Sequence, residues 1–285
     1  MMLYQYMNVD TFLKAFTPEG FWVKASYPCE FDDPYECTGL ITGEPSPAAI
    51  DQFFTWRPDI LTLWTELRYC PGLEPWECRT KSDCVRNWLV KSLREREFLS
   101  RGYRISCFCA DGHDEDLMWA FYGNKSKGVR LVFDLEGLDI PLVDVQYLSE
   151  PPSVNLDGMD DLQSGLKPFF DSCVASKHNS WEYQKEVRAI FQGSDDSRVS
   201  YSDEMKIHRW LIPIDNIRSI DLGCEVMPNF KDRGAIARKI RECGERFYLV
   251  RSTVRLYNKY GFSKKNEEIE MAMSACHLSR SIQIR

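Results

Sequence analysis

Apolar residues recur along the chain with two periods, and these periods predict strands toward both ends and helices between them. Alternating apolar positions, which are typical of strands, occur at residues 3–7 and 21–25, with a short amphipathic segment at 10–16 between them. After residue 101 the alternation returns, and it predicts strands at residues 103–109, 128–134, 142–148, 186–191, 209–213, 217–222 and 247–257. Short helices are predicted among these strands at residues 117–122, 162–177 and 229–243.

A block of helical spacing separates the two groups of strands. From about residue 47 to 101, apolar residues recur at intervals of three and four, and a second helix of this block is predicted over residues 82–99. The order of elements is mixed and lacks a regular strand–helix alternation, which indicates an α+β fold. We expect one catalytic domain over residues 1–285, with a helical insertion at about 47–101 and a C-terminal helix–strand extension at about 229–285.

Composition and charge narrow the class of protein. The chain has 285 residues, 44% of them hydrophobic, with a net charge of -7 and a pI near 5.3, so its bulk charge would not draw it to a phosphate backbone or an anionic membrane. Its first residues lack a basic stretch followed by an apolar run, and no segment reaches the length of a membrane span. We therefore expect a cytoplasmic protein with no membrane partner.

The cysteines and the missing motifs exclude several chemistries at the sequence level. Eleven scattered cysteines are expected to be reduced thiols. The only close pair, Cys107 and Cys109, lies in a predicted strand, where both are expected to be small buried apolar residues and no metal is expected. The chain contains no Gly-x-Gly-x-x-Gly, Walker A or Gly-x-Ser-x-Gly sequence, so dinucleotide-fold, P-loop and nucleophile-elbow enzymes are not supported.

The strongest chemical signal is the segment 177–191, in which polar residues lead into an apolar strand. The period of two places Gln184, Glu186 and Arg188 on one face, with Glu186 at the start of the strand. A carboxylate there could bind a sugar diol or stabilise a developing cation, whereas a cross-strand salt bridge is the alternative. Because an acceptor at a strand end contributes little packing, we expect Glu186→Gln to abolish activity without unfolding the protein.

Two further clusters carry polar or aromatic chemistry. In the first, Trp119 and Tyr122 are three residues apart and could present a flat surface to a ligand ring, although core packing competes with this interpretation. In the second, Asp32, Asp33 and Glu36 surround a proline. This cluster is typical of a backbone turn, but it could also hold the divalent metal of a phosphodiesterase.

Six short motifs in order resemble the bacterial domain-of-unknown-function family numbered 2971. Members show a Leu-Tyr-Lys-Tyr start, a Phe-Asn-Asp-Pro-Phe-Glu turn, a Cys-Phe-Ser strand, a Leu-Met-Trp-Ala-His-Tyr helix, a Lys-Gly strand ending in Phe-Asp, and Trp-x-Tyr-Glu-x-Glu-x-Arg. The corresponding segments here are residues 3–6, 31–36, 107–109, 117–122, 127–134 and 181–188. The resemblance spans residue 3 to about 225, apart from the helical insertion, and this chain departs from it with Cys109 for Ser and Phe121 for His.

The order of these motifs also resembles the ADP-ribosyltransferase superfamily, in which a split β-sheet binds NAD. That resemblance implies a split antiparallel or mixed sheet core and an NAD-consuming enzyme without a metal. In it, Glu186 would stabilise the oxocarbenium-like transition state that forms as nicotinamide leaves, and Gln184 would face the acceptor. The residues expected to bind NAD are Tyr4, Tyr6, Ser106, Trp119, Tyr122 and Arg188.

The resemblance also sets expectations about partners. A neutral amide at Gln184, where many relatives have Glu, resembles transferases that act on an amide or nucleobase nitrogen. The expected acceptor is a macromolecule, either RNA, DNA or a protein side chain. A toxin or phage-defence role would add an antitoxin or chaperone protein. The alternatives are an NAD glycohydrolase and a non-catalytic recognition module that docks a partner through Trp56, Trp76 and Trp88 of the insertion.

Overall fold

The computed structural model describes residues 1–67, 70–110, 115–193, 196–226, 229–243, 249–252, 255–258 and 261–264. Its α-helices there are α1 Val9–Ala15, α2 Pro47–Trp56, α3 Pro58–Leu67, α4 Lys81–Arg94, α5 Glu97–Gly102, α6 Glu115–Phe121, α7 Leu162–Val174 and α8 Phe230–Glu242. Its strands there are β1 Met2–Met7, β2 Phe16–Thr17, β3 Gly20–Lys24, β4 Leu40–Thr42, β5 Tyr103–Cys109, β6 Val129–Asp134, β7 Leu142–Asp144, β8 Gln146–Leu148, β9 Ser153–Asn155, β10 Ser176–His178, β11 Glu186–Gln192, β12 Ser200–Ser202, β13 Ile207–Pro213, β14 Ile217–Leu222, β15 Leu249–Ser252, β16 Arg255–Asn258 and β17 Gly261–Lys264.

The main sheet has seven strands in the order β15-β14-β6-β1-β5-β11-β7. Its pairs are antiparallel except for β14 with β15, which is parallel. A second sheet of four strands has the order β12-β13-β3-β2. Helices and mostly antiparallel sheets therefore alternate irregularly along the chain, and the predicted α+β class is confirmed.

One face of the main sheet builds the largest core. Phe108, Val187 and Phe191 point from β5 and β11 into this core, where they meet Trp210 of the second sheet. Helices α1 and α8 add apolar side chains to the same core, including Ile236. Strands that are buried on both faces have nearly continuous apolar sequences. This explains why β5 and β11 are easily recognised in the sequence.

The opposite face of the main sheet is divided between two kinds of environment. At one end, Ile105 and Ile190 pack with the helices α2–α5 and α7 in a second apolar core. At the other end, a small cluster joins Tyr6 and Cys109 of the sheet to Met118 and Trp119 of α6. Charged residues of β11 lie between these two apolar regions, and they form the site described below.

Two of the predicted elements are each divided into two shorter ones. The helix predicted over 82–99 divides into α4 and α5, because Arg96 adopts a left-handed backbone conformation with φ of 54°. The strand predicted over 142–148 divides at Val145, whose N–H donates to the Glu186 carbonyl (3.0 Å) while the next N–H donates to the Ala175 carbonyl (2.9 Å). The chain thereby leaves β11 and pairs with β10.

The helical block and the C-terminal region both pack with elements from other parts of the chain. Helices α2–α5 share their core with α7, which follows β9, and β15 extends the main sheet beside β14. Within the described residues, no helix combines the length and apolar character that crossing a bilayer requires. The predicted strand at 247–257 is observed only in part, as β15 and β16, and residues 265–285 of the predicted extension lie outside the described residues.

The expectation that every cysteine is a reduced thiol is wrong for one pair. Cys70 and Cys84 form a disulfide across the start of α4, with Cα atoms 6.4 Å apart. Cys107 and Cys109 are free thiols in β5, as predicted, and Cys109 is buried. Sequence spacing could not reveal the bonded pair, because 14 residues separate its members.

Candidate functional site

The strand register brings the predicted catalytic residues into one row across the main sheet. Glu186 of β11 lies opposite Cys109 of β5, and Cys109 lies opposite Tyr4 of β1. Because side chains alternate along a strand, Arg188 points to the same face as Glu186. The prediction that Glu186 and Arg188 share a face is therefore confirmed. Gln184, which the same period predicts on that face, lies before the strand in the 3-10 turn Asn179–Gln184, so strand alternation does not position it.

Two carboxylates and two cations form a buried quartet on this face, and we call it the charge quartet: Glu36, Lys177, Glu186 and Arg188. The Arg188 Nε donates to Glu186 Oε1 at 2.6 Å, and its Nη2 donates to Glu36 Oε1. The Lys177 Nζ lies 3.1 Å from Glu186 Oε2 and 3.3 Å from Glu36 Oε2. Each carboxylate thus contacts both cations, and the quartet has no formal net charge.

Burial and ion pairing have opposite effects on the pKa values of Glu186 and Lys177. Burial by itself raises the pKa of Glu186, but Arg188 and Lys177 outweigh it and hold that pKa at about 2. Burial likewise disfavours the charged form of Lys177, yet Glu186 and Glu36 keep its pKa above the ordinary value. Glu186 is therefore ionised at neutral pH, and its charge is fixed in place by two donors.

Local structure presents Glu36 and Lys177 to the strand. Arg96 donates from its guanidinium to the carbonyls of Pro28, Phe31 and Asp33, and so fixes the turn that precedes Glu36. The residue whose left-handed backbone separates α4 from α5 therefore also holds the turn that precedes Glu36. Lys177 lies on β10, which pairs in parallel with β8.

The turn interpretation of the first acidic cluster is confirmed for Asp33, whose Oδ1 accepts the Tyr35 N–H at 2.9 Å. Asp32 is exposed, whereas Glu36 is buried and ion-paired with two cations. The three carboxylates therefore do not converge on a common metal position. Lys177 and Arg188 occupy the side of Glu36 on which a cation would bind.

Gln184 connects the quartet to an aromatic rim. Its Oε1 accepts from Lys177 Nζ at 2.9 Å, and its Nε2 donates to the Tyr122 hydroxyl at 2.6 Å. Tyr122 is 42% exposed, so Gln184 links the buried quartet to a residue at the protein surface. Burial raises the pKa of Tyr122 to about 12, which keeps the hydroxyl protonated. Trp181 and Tyr183, both partly exposed, complete the rim.

Tyr6 and Trp119 pack edge to face beside the rim, with ring centroids 5.0 Å apart. The Trp119 Nε1 is buried and has no hydrogen-bond partner among the described residues, and such a donor is uncommon in a folded protein. Tyr4 lies at the margin of the same cluster and is partly exposed. Three of the predicted NAD-binding residues therefore lie together on the face that carries Glu186.

Ser106 is separated from the other predicted site residues. Its side chain points to the opposite face of β5, where its Oγ donates to the Lys24 carbonyl (2.6 Å) and accepts from Trp210 Nε1 (2.9 Å). The structure therefore does not bring Ser106 together with the other predicted NAD-binding residues. Alternation along β5 explains the separation, since Ser106 and Cys107 must point to opposite faces.

Sequence reasoning missed three charged residues on this face. Lys177 and Arg130 were not singled out, and Asp221 appeared only as part of a predicted strand. Arg130 donates to Asp221 at 2.7 Å and to the Tyr6 hydroxyl at 3.2 Å, so it extends the polar row by two strands beyond β1. Its position opposite Tyr6 follows from strand register, which a single sequence does not reveal.

Two sequence expectations about exposure and stability require correction. Trp88, expected to anchor a partner, packs against Phe53 at 5.2 Å and is partly buried, whereas Trp56 and Trp76 are 40% and 66% exposed. Glu186 is buried with two ion pairs, so the argument that it contributes little to folding is wrong. The other partner and acceptor expectations stay predictions.

Comparisons with protein-family models, curated proteins and solved structures found no match. The resemblances to the family numbered 2971 and to ADP-ribosyltransferases therefore rest on the sequence motifs alone.

Proposed function

We propose that this chain is a cytoplasmic NAD-dependent ADP-ribosyltransferase with a split-sheet core of the type found in that superfamily. The observation that carries the proposal is the position of Glu186. Its carboxylate is ionised and held by Lys177 and Arg188, and Gln184 links Lys177 to the exposed ring of Tyr122. A fixed anion connected in this way to an exposed aromatic ring suits a substrate with a planar base on a ribose.

The chemistry needs one fixed negative charge. Departure of nicotinamide leaves a positively charged, oxocarbenium-like ribose carbon, and an oriented carboxylate stabilises that charge more in the transition state than in the substrate. Glu36 has a second role in this scheme, because it balances the two cations around Glu186. Without Glu36, the net charge around the carboxylate would be positive and would oppose the reaction.

The binding surface supplies complementary groups. The exposed Tyr122 ring can contact a base, and the Trp119 Nε1 is a buried donor for which the described part of the chain offers no acceptor. Gln184 uses its amide on Lys177 and Tyr122, so its role toward the acceptor passes through the orientation of the Tyr122 hydroxyl. Arg188, fully buried, is a positioning residue for Glu186 and does not itself reach solvent.

The proposal includes a macromolecular acceptor, either a nucleobase of RNA or DNA or a protein side chain, and no metal. A toxin or phage-defence effector fits an enzyme that consumes NAD, and such an effector would be restrained by an antitoxin or chaperone. The Tyr122 hydroxyl supports an amide or nucleobase nitrogen as the acceptor, because it accepts a hydrogen bond from Gln184 and can donate its own proton to such a group.

The test uses labelled NAD, mixed cellular protein and RNA, and three forms of the chain: wild type, Glu186→Gln and Glu36→Gln. The two variants are matched, because each removes one buried carboxylate from the same two cations. Assayed at a temperature where all three are folded, Glu186→Gln should release no nicotinamide. Glu36→Gln should retain measurable release. Equal loss in both variants would assign Glu186 a structural role only.

The products separate the transferase from the alternatives. Label on one macromolecular fraction identifies the acceptor class, whereas free ADP-ribose alone identifies an NAD glycohydrolase. A second candidate, a recognition module, is favoured by the exposure of Trp56 and Trp76. Folded wild-type protein that neither binds nor cleaves NAD would support that candidate and refute both enzymes.

A further inference from the structure

A cluster of three cysteines includes no residue of the charge quartet. The sulfur atoms of Cys70, Cys78 and Cys84 all lie within 4.8 Å of one another, and all three residues are buried. Cys70 and Cys84 are joined as a disulfide, and Cys78 is a free thiol beside them. We call these residues the cysteine cluster.

The cysteine cluster lies in an irregular segment that is held mainly by side chains. Between α3 and α4, the described residues 70–80 form only one short 3-10 turn, Pro75–Glu77. Side chains from the flanking helices bind this segment at its carbonyls: Asn87 reaches the Glu77 carbonyl at 2.5 Å, and Trp64 reaches that of Cys78 at 3.4 Å. A segment without a backbone ladder depends on cross-links for a defined conformation.

A disulfide uses only two of the three sulfurs. The third, Cys78, is left as a buried free thiol. A cation that bound all three sulfurs would instead convert Cys78 into a stabilising ligand.

We propose that the reduced cysteine cluster binds one Zn²⁺ through the sulfurs of Cys70, Cys78 and Cys84. Tetrahedral zinc with Zn–S bonds of about 2.3 Å places its sulfur ligands roughly 3.8 Å apart. Reduction of the disulfide frees the Cys70 and Cys84 sulfurs to separate to this distance, and the Cys78 sulfur lies within 4.8 Å of both. No fourth His, Cys, Asp or Glu of the described residues joins this group. The fourth position is therefore assigned to water.

The zinc site and the disulfide are mutually exclusive, because both use Cys70 and Cys84. Zinc binding releases the protons of the thiols as they become thiolates. The site is structural, since it fixes the segment between α3 and α4, and it is independent of the proposed reaction at Glu186.

The experiment begins with full-length protein reduced by a phosphine without oxygen and then freed of reductant. Zinc is titrated in competition with a chromogenic chelator, and Co²⁺ is tested in parallel for a thiolate-to-metal charge-transfer band. We expect one zinc per chain and the cobalt band in wild type. Cys78→Ser should lose stoichiometric zinc, whereas Cys29→Ser, which removes an exposed thiol, should keep it.

Alkylation of the wild type provides a readout that does not depend on a variant folding. Zinc should protect Cys70, Cys78 and Cys84 together from a thiol reagent, as followed by mass spectrometry, and should leave Cys29 unprotected. The proposal is overturned by reduced, folded protein that binds no zinc, by zinc binding that survives Cys78→Ser, or by zinc that fails to protect Cys78.

Discussion

Replacing Glu186 with Gln should destabilise the protein, and the structure indicates by how much. The substitution keeps the shape of the side chain but removes its charge, so Lys177 and Arg188 share the single carboxylate of Glu36 inside the fold. Removal of one partner from a buried ion pair costs about 3–5 kcal/mol. For a chain of this size, that corresponds to a fall in Tm of roughly 6 °C or more.

The pH dependence of stability provides a second signature of the same group. The folded pKa of Glu186, about 2, lies below the ordinary 4.5. Its stabilisation is therefore complete above about pH 4.5 and is lost as the pH falls toward 2. Urea unfolding of wild type should show this loss between those two values, and the contribution should be absent from Glu186→Gln.

A double substitution tests whether charge balance is the cause. Adding Lys177→Met to Glu186→Gln restores equal numbers of positive and negative charges, because Arg188 then faces Glu36 alone. The double variant should be destabilised by less than the sum of the two single variants, with a coupling energy of about 0.5–3 kcal/mol. Additive effects, or a Tm of Glu186→Gln within about 1 °C of wild type, would refute the ion-pair argument.

Three further substitutions separate structural from functional contacts. Ser106→Ala leaves the buried Trp210 Nε1 without its partner and should cost about 1–3 kcal/mol in urea unfolding, with nicotinamide release per folded molecule unchanged. Tyr122→Phe removes the acceptor of Gln184 and should raise KM for NAD, with a stability loss of only about 1 kcal/mol. Arg96→Ala removes the donor to three carbonyls of the turn before Glu36. It should speed hydrogen exchange over residues 28–36, and unchanged exchange there would show that the turn does not need this guanidinium.

The strands that bury both faces were predictable from the sequence, but their partners were not. Residues 103–109 and 217–222 match β5 and β14 at both ends, because dense apolar alternation leaves few other structures for them. The same alternation placed Glu186 and Arg188 on one face. It could not place Lys177, which reaches Glu186 only because β10 pairs with β8.

Glu36 shows the limit of local interpretation most clearly. The Asp-Asp-Pro sequence beside it predicts a turn, and the turn is present. The ion pair of Glu36 with Arg188, however, spans 152 positions, and no local pattern encodes such a contact. The only hint was compositional, since a glutamate close to Phe31 and Cys37 is more easily buried than one in a polar loop.

The buried ion pairs hold Glu186 in the state that the proposed catalysis requires, which is a desolvated carboxylate of fixed orientation. A carboxylate that waits in water must be desolvated and oriented during the reaction, whereas Glu186 is already desolvated and oriented by Lys177 and Arg188. The energy that holds the charge quartet together is therefore supplied by folding and need not come from NAD binding. Glu36 makes this arrangement possible, because its charge offsets one of the two cations and leaves Glu186 able to act as an anion toward a ligand.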